Sequence, residues 1–155
     1  MAGAVEWLLL AYRMPREPST PRITVWRKLA RLGVLKLGDG LVALPADARS
    51  QERLEWIADE VIEAAGEATL WRSRLTSASS ERVLVERMAV AIAAEYRALA
   101  YAAAEAAASR PVKDQTVARM RRELRRISQR DYFPPPEREE ARRAVKSLTS
   151  EAAAR

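Results

Sequence analysis

The stretch from residue 7 to residue 45 constrains the fold more than any other part of this sequence. It opens with an apolar run at residues 7–12, and Pro15, Pro18 and Pro21 follow. An amphipathic segment then runs to Gly33, and two short apolar runs flank the triplet at residues 38–40, Gly-Asp-Gly. Because each proline removes a ladder donor and Gly-Asp-Gly favours a tight turn, this order predicts a strand, a helix and a β-hairpin.

The first helix has recognisable start and stop signals. Ser19 or Thr20 is predicted to be its N-cap, with Pro21 at the first helical position, where its missing N–H costs nothing. The helix is expected to run to about Leu32 and to end at Gly33, a residue type that favours the C-terminal cap.

A second helix and a fourth strand complete a repeated pattern. Ser50 is predicted to cap a helix that ends near Gly66, and residues 68–75 are predicted to form the strand. Trp56 lies off the apolar stripe of this helix and is expected to be covered by another part of the chain. The order β-α-β-β-α-β predicts an α+β fold of the ferredoxin-like, split βαβ type over residues 1–76, with an antiparallel sheet and both helices on one face.

The composition changes after residue 76. Residues 77–155 are predicted to form a helical extension that packs on the first domain, with helices at 81–109, at 114–130 and after Pro136. In the middle helix, apolar side chains recur at spacings of three, four and three, a narrow seam of the coiled-coil type. They are Val117, Met120, Leu124 and Ile127.

The absence of two residue types excludes much chemistry. The 155 residues contain no cysteine and no histidine. Disulfides and thiolate ligands are therefore excluded, and so are the usual general base and the commonest metal ligand. We expect no catalytic residue, no metal and no cofactor, and hence no enzyme. The apolar runs are too short to span a bilayer or to form a signal sequence, which predicts a cytoplasmic protein.

The positive charge is concentrated late in the chain. The formal net charge is +6, yet residues 1–76 carry eleven basic and ten acidic side chains, a net of +1. Residues 110–130 carry eight basic and two acidic side chains, a net of +6. A segment of this kind favours polyanions, small oxyanions or an acidic partner.

The first crossover is a candidate site for an oxyanion or a phosphate. Arginines surround two hydroxyl residues at the start of a helix, where free N–H groups and the positive end of the helix dipole attract anions. The candidate residues are Arg13, Arg16, Ser19, Thr20 and Arg22. The alternative is that these arginines pair with Glu17 and with the acidic second helix.

The basic helix is the candidate for nucleic-acid binding. Its arginines lie opposite the apolar seam, so docking of the seam would turn them outward toward phosphates. The candidate residues are Arg119, Arg122, Arg125, Arg126 and Arg130. The alternative is a solvated face balanced by Glu137, Glu139 and Glu140.

Several segments resemble a known family. The most specific is Pro-Ser-x-x-Arg-x-x-x-Trp-Arg-x-Leu at residues 18–29, accompanied by DGLVALP, EATLW and RDYFPPPEREEARRAV. Over residues 6–148 the chain resembles the N-terminal domain of the chromate-resistance protein ChrB. Its first half is similar, more distantly, to the nuclease-like domain of PaaX-type repressors. The split βαβ nucleases associated with CRISPR adaptation have a similar layout, but the acid that they carry after the first strand is absent from Tyr12-Arg13-Met14.

The resemblance to ChrB implies a chromate-responsive transcriptional regulator. Its partners would be operator DNA of a chromate-resistance operon and chromate as effector, and it would form a homodimer. The alternative is an accessory module in chromate resistance that binds a protein partner rather than DNA. A role in chromate reduction ranks third, because the sequence has no flavin or nicotinamide motif.

Overall fold

The computed structural model describes residues 4–154. Its strands are β1 (Trp7–Arg13), β2 (Leu35–Gly38), β3 (Leu41–Pro45) and β4 (Glu67–Ser73). Its helices are α1 (Ser19–Leu32), α2 (Ala48–Glu63), α3 (Ala78–Ala108), α4 (Asp114–Gln129) and α5 (Glu137–Ala153). The predicted α+β class is confirmed.

The four strands form one antiparallel sheet in the order β2-β3-β1-β4. β1 is central, and its Leu10 lies opposite Val42 of β3 on one side and Leu70 of β4 on the other. β2 pairs with β3, with a register shift between Lys36 and Gly38. Because β1 and β2 are each antiparallel to β3, the two run parallel with β3 between them.

The two helices of the first half pack against each other, and α2 also packs against β1 and β4. Leu29 of α1, Leu54 of α2 and Leu44 of β3 are fully buried. At the rim of this core, Lys28 donates to Glu60 at 2.5 Å and links α1 to α2. The helical spacing of the apolar residues is therefore explained by one shared core.

Gly33 caps the C-terminus of α1 as predicted, but both predicted N-caps in the first half are wrong. α1 begins at Ser19 directly after Pro18, whose extended backbone serves as the N-cap without a side-chain hydrogen bond, so Pro21 is the third helical residue. α2 is capped by Asp47, whose carboxylate accepts from the Ser50 N–H at 2.7 Å. An aspartate three residues before that N–H is well placed to accept its hydrogen bond, and Ser50 itself becomes buried.

The prediction that Trp56 is covered is also wrong. Its side chain is 61% exposed on the outer side of α2. In the part of the chain from residue 4 to residue 154, no segment folds over this ring. Periodicity separates an inner from an outer helix face, but it does not reveal whether a distant segment crosses the outer one.

The end of β1 is held between two close backbone approaches. Tyr12 donates its N–H to the carbonyl of Gly40 at 2.8 Å. Gly40 has φ +71°, and a Cβ atom there would lie 2.2 Å from the Tyr12 carbonyl oxygen. On the other side, a Cβ on Gly66 would lie 2.6 Å from the carbonyl oxygen of Arg13. These contacts fix the hairpin turn beside the first crossover.

The chain divides into two compact units between Leu84 and Val85, inside α3. The second unit has its own core, formed by α3, α4 and α5 and centred on the fully buried Tyr96. The Tyr96 hydroxyl donates to Asp131 Oδ2 at 2.9 Å, just after α4. Across residues 4–154, no helix is both long and apolar enough to cross a membrane.

Candidate anion-binding cavity and nucleic-acid interface

A cavity of about 610 Å³ opens at the first crossover. The end of β1, the first turns of α1 and the β2–β3 hairpin form its sides, and it is open to solvent. It is lined by Tyr12, Arg13, Met14, Arg22, Ile23, Trp26, Lys36, Gly38, Asp39, Gly40 and Val42. The hairpin turn, fixed by the Tyr12–Gly40 hydrogen bond, brings β2 and α1 to the same space.

The charges around this cavity are mostly positive. Lys36 Nζ lies 3.5 Å from Asp39 and 5.6 Å from the centroid of the Trp26 ring, which is a cation–π distance. Arg13 forms an exposed ion pair with Glu67 at 3.0 Å. Arg22 forms no ion pair with any residue that the structure describes.

Tyr12 is a polar group in this largely apolar wall. Burial, and then the nearby charge of Asp39, raise the pKa of Tyr12 above its ordinary value of 10.0. The phenol is therefore protonated at neutral pH and can donate a hydrogen bond to an anion in the cavity.

The structure brings together two of the five residues predicted for the oxyanion site. Arg13 and Arg22 line the cavity, whereas Arg16, Ser19 and Thr20 lie outside its lining. The alternative pairing is not what the geometry shows, because Arg13 pairs with Glu67 of β4 rather than with Glu17 or α2.

The cavity wall also contains residues that were not predicted for the site, among them Tyr12, Trp26 and Lys36. Lys36 reaches the wall because β2 pairs with β3, and this pairing places it opposite Val42. Trp26 of α1 lines the cavity, and its ring lies beside Lys36 of β2. The Gly-Asp-Gly turn signalled the hairpin in the sequence, but not that the hairpin would lie close to β1.

The basic helix α4 docks as predicted. Val117, Met120 and Ile127 are buried in the core of the second unit. The opposite side of α4 is exposed, and it carries the predicted Arg119, Arg122, Arg125 and Arg126 together with Arg121, which sequence analysis left out. We call these five arginines the α4 arginine face.

Most of the α4 arginine face is free of ion pairs. Arg126 pairs with Glu123 of the same helix at 3.0 Å, whereas the other four have no ion pair among residues 4–154. Two of the three acidic residues of α5 that were the alternative partners are engaged elsewhere: Glu137 pairs with Arg97, and Glu139 with Arg142. Glu140 forms no ion pair with any residue from 4 to 154, so none of the three pairs with the α4 arginine face.

Arg130 differs from the other predicted arginines. Its guanidinium donates to both carboxylate oxygens of Glu95, at 2.8 and 2.6 Å, and its side chain is only 20% exposed. The hydrogen bond to Glu95 raises the pKa of Arg130. Arg130 thus joins the end of α4 to α3 and lies apart from the α4 arginine face.

Among the residues that the structure describes, no three His, Cys, Asp or Glu side chains form a group that could hold a metal ion.

One family model, described as "Protein ChrB, N-terminal", matches residues 22–108, from α1 to the end of α3. The matched range is more than half of the 155 residues, and it includes the hairpin, α2 and β4. α4 and α5 follow it in the chain. No curated protein and no solved structure matches the chain significantly. The chain belongs to the ChrB N-terminal domain family.

Proposed function

We propose that this chain is a DNA-binding, chromate-responsive regulator domain that acts on a chromate-resistance operon. Membership in the ChrB family implies involvement in chromate resistance. The observation that carries the DNA-binding part is the α4 arginine face, in which four of the five arginines have no ion-pair partner within the described residues.

The geometry of α4 supports contact with phosphates. A helix of 16 residues is about 24 Å long, so its arginines can follow several phosphates along a DNA backbone. The guanidinium group forms bidentate hydrogen bonds to phosphate oxygens. Such contacts supply affinity that depends strongly on salt, whereas sequence preference needs contacts to the bases.

The first crossover supports an oxyanion effector. Arg16 and Arg22 have no ion pair among residues 4–154. No side chain caps the N-terminus of α1, where Ser19 and Thr20 lie. Chromate is a tetrahedral dianion, which matches guanidinium donors and free backbone N–H groups. We therefore place the effector contact at this end of α1.

The proposal is tested by an electrophoretic mobility shift with the promoter upstream of the protein's own gene, at low and at high salt. We expect a specific shift that weakens with salt and that chromate releases, while an equal concentration of sulfate does not. A specific shift that ignores chromate would contradict the effector assignment and leave DNA binding in place.

Charge reversal separates DNA binding from the alternative of an accessory module. Arg122→Glu together with Arg126→Glu is expected to abolish the shift. The matched control, Arg27→Glu with Arg31→Glu, reverses two exposed arginines of α1 and should leave it intact. The accessory module would be supported instead by two results together. The wild-type chain would give no specific shift, and Arg122→Glu with Arg126→Glu would lose a complex with a protein partner.

We also propose that the domain has no catalytic activity of its own, that it is a homodimer, and that residues 7–73 have the ferredoxin-like fold. The strand order β2-β3-β1-β4 and the β-α-β-β-α-β element order support the last point. Light scattering after size-exclusion chromatography tests the dimer, and a chromate-reduction assay tests the absence of catalysis.

A further inference from the structure

The cavity at the end of β1 is larger than a tetrahedral oxyanion needs. Its volume of about 610 Å³ falls in the range of roughly 300–1,000 Å³ that is typical of sites for small organic molecules. A chromate-sized ion would leave most of this space to water. The volume therefore indicates a ligand larger than the effector proposed above, one that would share Arg22 with it.

The wall of the cavity offers aromatic surface. Trp26 is 41% exposed although it is the largest apolar side chain of α1, and Tyr12 and Ile23 line the same space. Flat aromatic side chains on a concave wall are well suited to stack a planar ring, and base–aromatic stacking is tolerant of which base is bound.

The polar groups of the cavity match a negatively charged ligand that also carries hydrogen-bond donors. Arg22 has no ion-pair partner in the described part of the chain, and its guanidinium can bind a phosphate through two hydrogen bonds. Tyr12 supplies a protonated phenol, as described above. Asp39, fully exposed at the rim, can accept a hydrogen bond from an amine or a hydroxyl group.

We propose that this cavity binds a nucleotide, with the base stacked on Trp26 in place of the Lys36 ammonium. The phosphate would lie at Arg22 and Tyr12, and an amino or hydroxyl group at Asp39. Two ligands share this chemistry: a free nucleotide and the terminal nucleotide of a single strand. The site lies in the first unit and is independent of duplex DNA binding by α4.

Isothermal titration calorimetry of the full chain tests the site with four probes: AMP, adenosine, inorganic phosphate and a short single-stranded oligodeoxyadenylate. AMP combines the ring and the phosphate, so we expect it to bind about tenfold or more tightly than adenosine or phosphate alone. Tight binding of the oligonucleotide without binding of AMP would also support the site, and it would identify the ligand as the terminal nucleotide of a single strand.

Matched variants assign the binding to the cavity. Trp26→Leu and Arg22→Gln are each expected to weaken the binding of AMP, or of the oligonucleotide, by about tenfold. The controls are Trp56→Leu, an exposed tryptophan of α2, and Arg27→Gln, an exposed arginine of α1 outside the cavity lining. Both should bind like wild type, and thermal unfolding checks that all four variants fold.

Two outcomes would overturn the proposal. One is that neither AMP nor the oligonucleotide binds the wild-type chain. The other is that inorganic phosphate binds as tightly as AMP and Trp26→Leu has no effect, which would reduce the cavity to an oxyanion site. Neither outcome affects the mobility shift that tests the α4 arginine face.

Discussion

Gly38 and Gly40 enclose Asp39 in the hairpin turn, yet their surroundings differ. A Cβ on Gly40 would lie 2.2 Å from the Tyr12 carbonyl oxygen, and the residue has a left-handed φ of +71°. A Cβ on Gly38 would meet nothing within 4 Å. Only one of the two positions therefore requires glycine.

Gly40→Ala is expected to lower the free energy of unfolding by about 2 kcal/mol or more, because it combines a strained φ with a clash against backbone. Gly38→Ala, the matched control, should change it by less than about 1 kcal/mol. Urea denaturation of both variants measures the difference. Equal effects of the two substitutions would mean that the close approach of the turn to β1 contributes nothing to stability.

Arg126 and Arg130 are one helical turn apart and have different environments. Arg126 is exposed and pairs within α4, whereas Arg130 is largely buried in a two-bond contact with Glu95 of α3. The first arginine remains available to a polyanion, and the second holds two helices together.

Arg130→Gln is expected to destabilise the chain by about 1–2 kcal/mol, since it leaves the Glu95 carboxylate without its partner. Arg126→Gln removes only an exposed pair and should cost less than about 0.5 kcal/mol. For DNA affinity, measured well below the unfolding transition, we expect the larger loss in Arg126→Gln and the smaller loss in Arg130→Gln. A larger loss of DNA affinity in Arg130→Gln would contradict the structural role of Arg130.

At the scale of elements, Tyr96 connects α3 to the end of α4. Its ring is fully buried in the core of the second unit, and its hydroxyl donates to Asp131. Burial raises the pKa of Tyr96 above its ordinary value of 10.0. A raised pKa means that the folded state holds this proton more tightly than the unfolded state does, so stability is retained below pH 10 and decreases as the pH rises above it.

Tyr96→Phe is expected to lower the free energy of unfolding at neutral pH by about 1–2 kcal/mol, because the Asp131 carboxylate loses its donor. It should also make the fall in stability above pH 10 shallower, although Tyr12 contributes to the same fall. Tyr101→Phe, which alters an exposed tyrosine of α3, serves as the control. An unchanged pH profile in Tyr96→Phe would show that Tyr96 does not titrate differently in the folded state.

At the scale of the whole molecule, the distribution of charge matters more than the total. Nearly all of the net charge of +6 arises from residues 110–130, while residues 1–76 are almost neutral. Folding of α4 then places five arginines of this segment on one exposed side. The electrostatic attraction for a polyanion is therefore concentrated on α4.

For duplex DNA, the logarithm of the observed binding constant is expected to fall with the logarithm of salt concentration with a slope of about −4.5, if the five arginines each neutralise one phosphate. Arg122→Gln with Arg125→Gln should make the slope shallower by about 2. Arg27→Gln with Arg31→Gln should leave it unchanged. Fluorescence anisotropy at several salt concentrations measures all three slopes, and equal slopes would contradict binding through α4.

Local sequence pattern was sufficient to locate the strands and helices and to separate the buried from the exposed side of each helix. Apolar spacing located the four strands and five helices and placed Val117, Met120 and Ile127 in a core, because burial of apolar surface dominates folding and its period is local. The same spacing turned most of the α4 arginines outward. The N-caps of the helices were predicted less well than the C-terminal cap at Gly33, since neighbouring residues such as Asp47 and Ser50 compete for the same N–H groups.

The contacts between residues that are distant in the sequence depend on the tertiary structure. Strand pairing brought Lys36 to Trp26 and Tyr12, the contact between Arg130 and Glu95 joined α4 to α3, and no segment between residues 4 and 154 covered Trp56. These contacts depend on register and on close approaches such as Gly40 to Tyr12, which local periodicity does not encode. The sequence therefore specified the elements and their charged faces, and the tertiary structure formed the cavity between them.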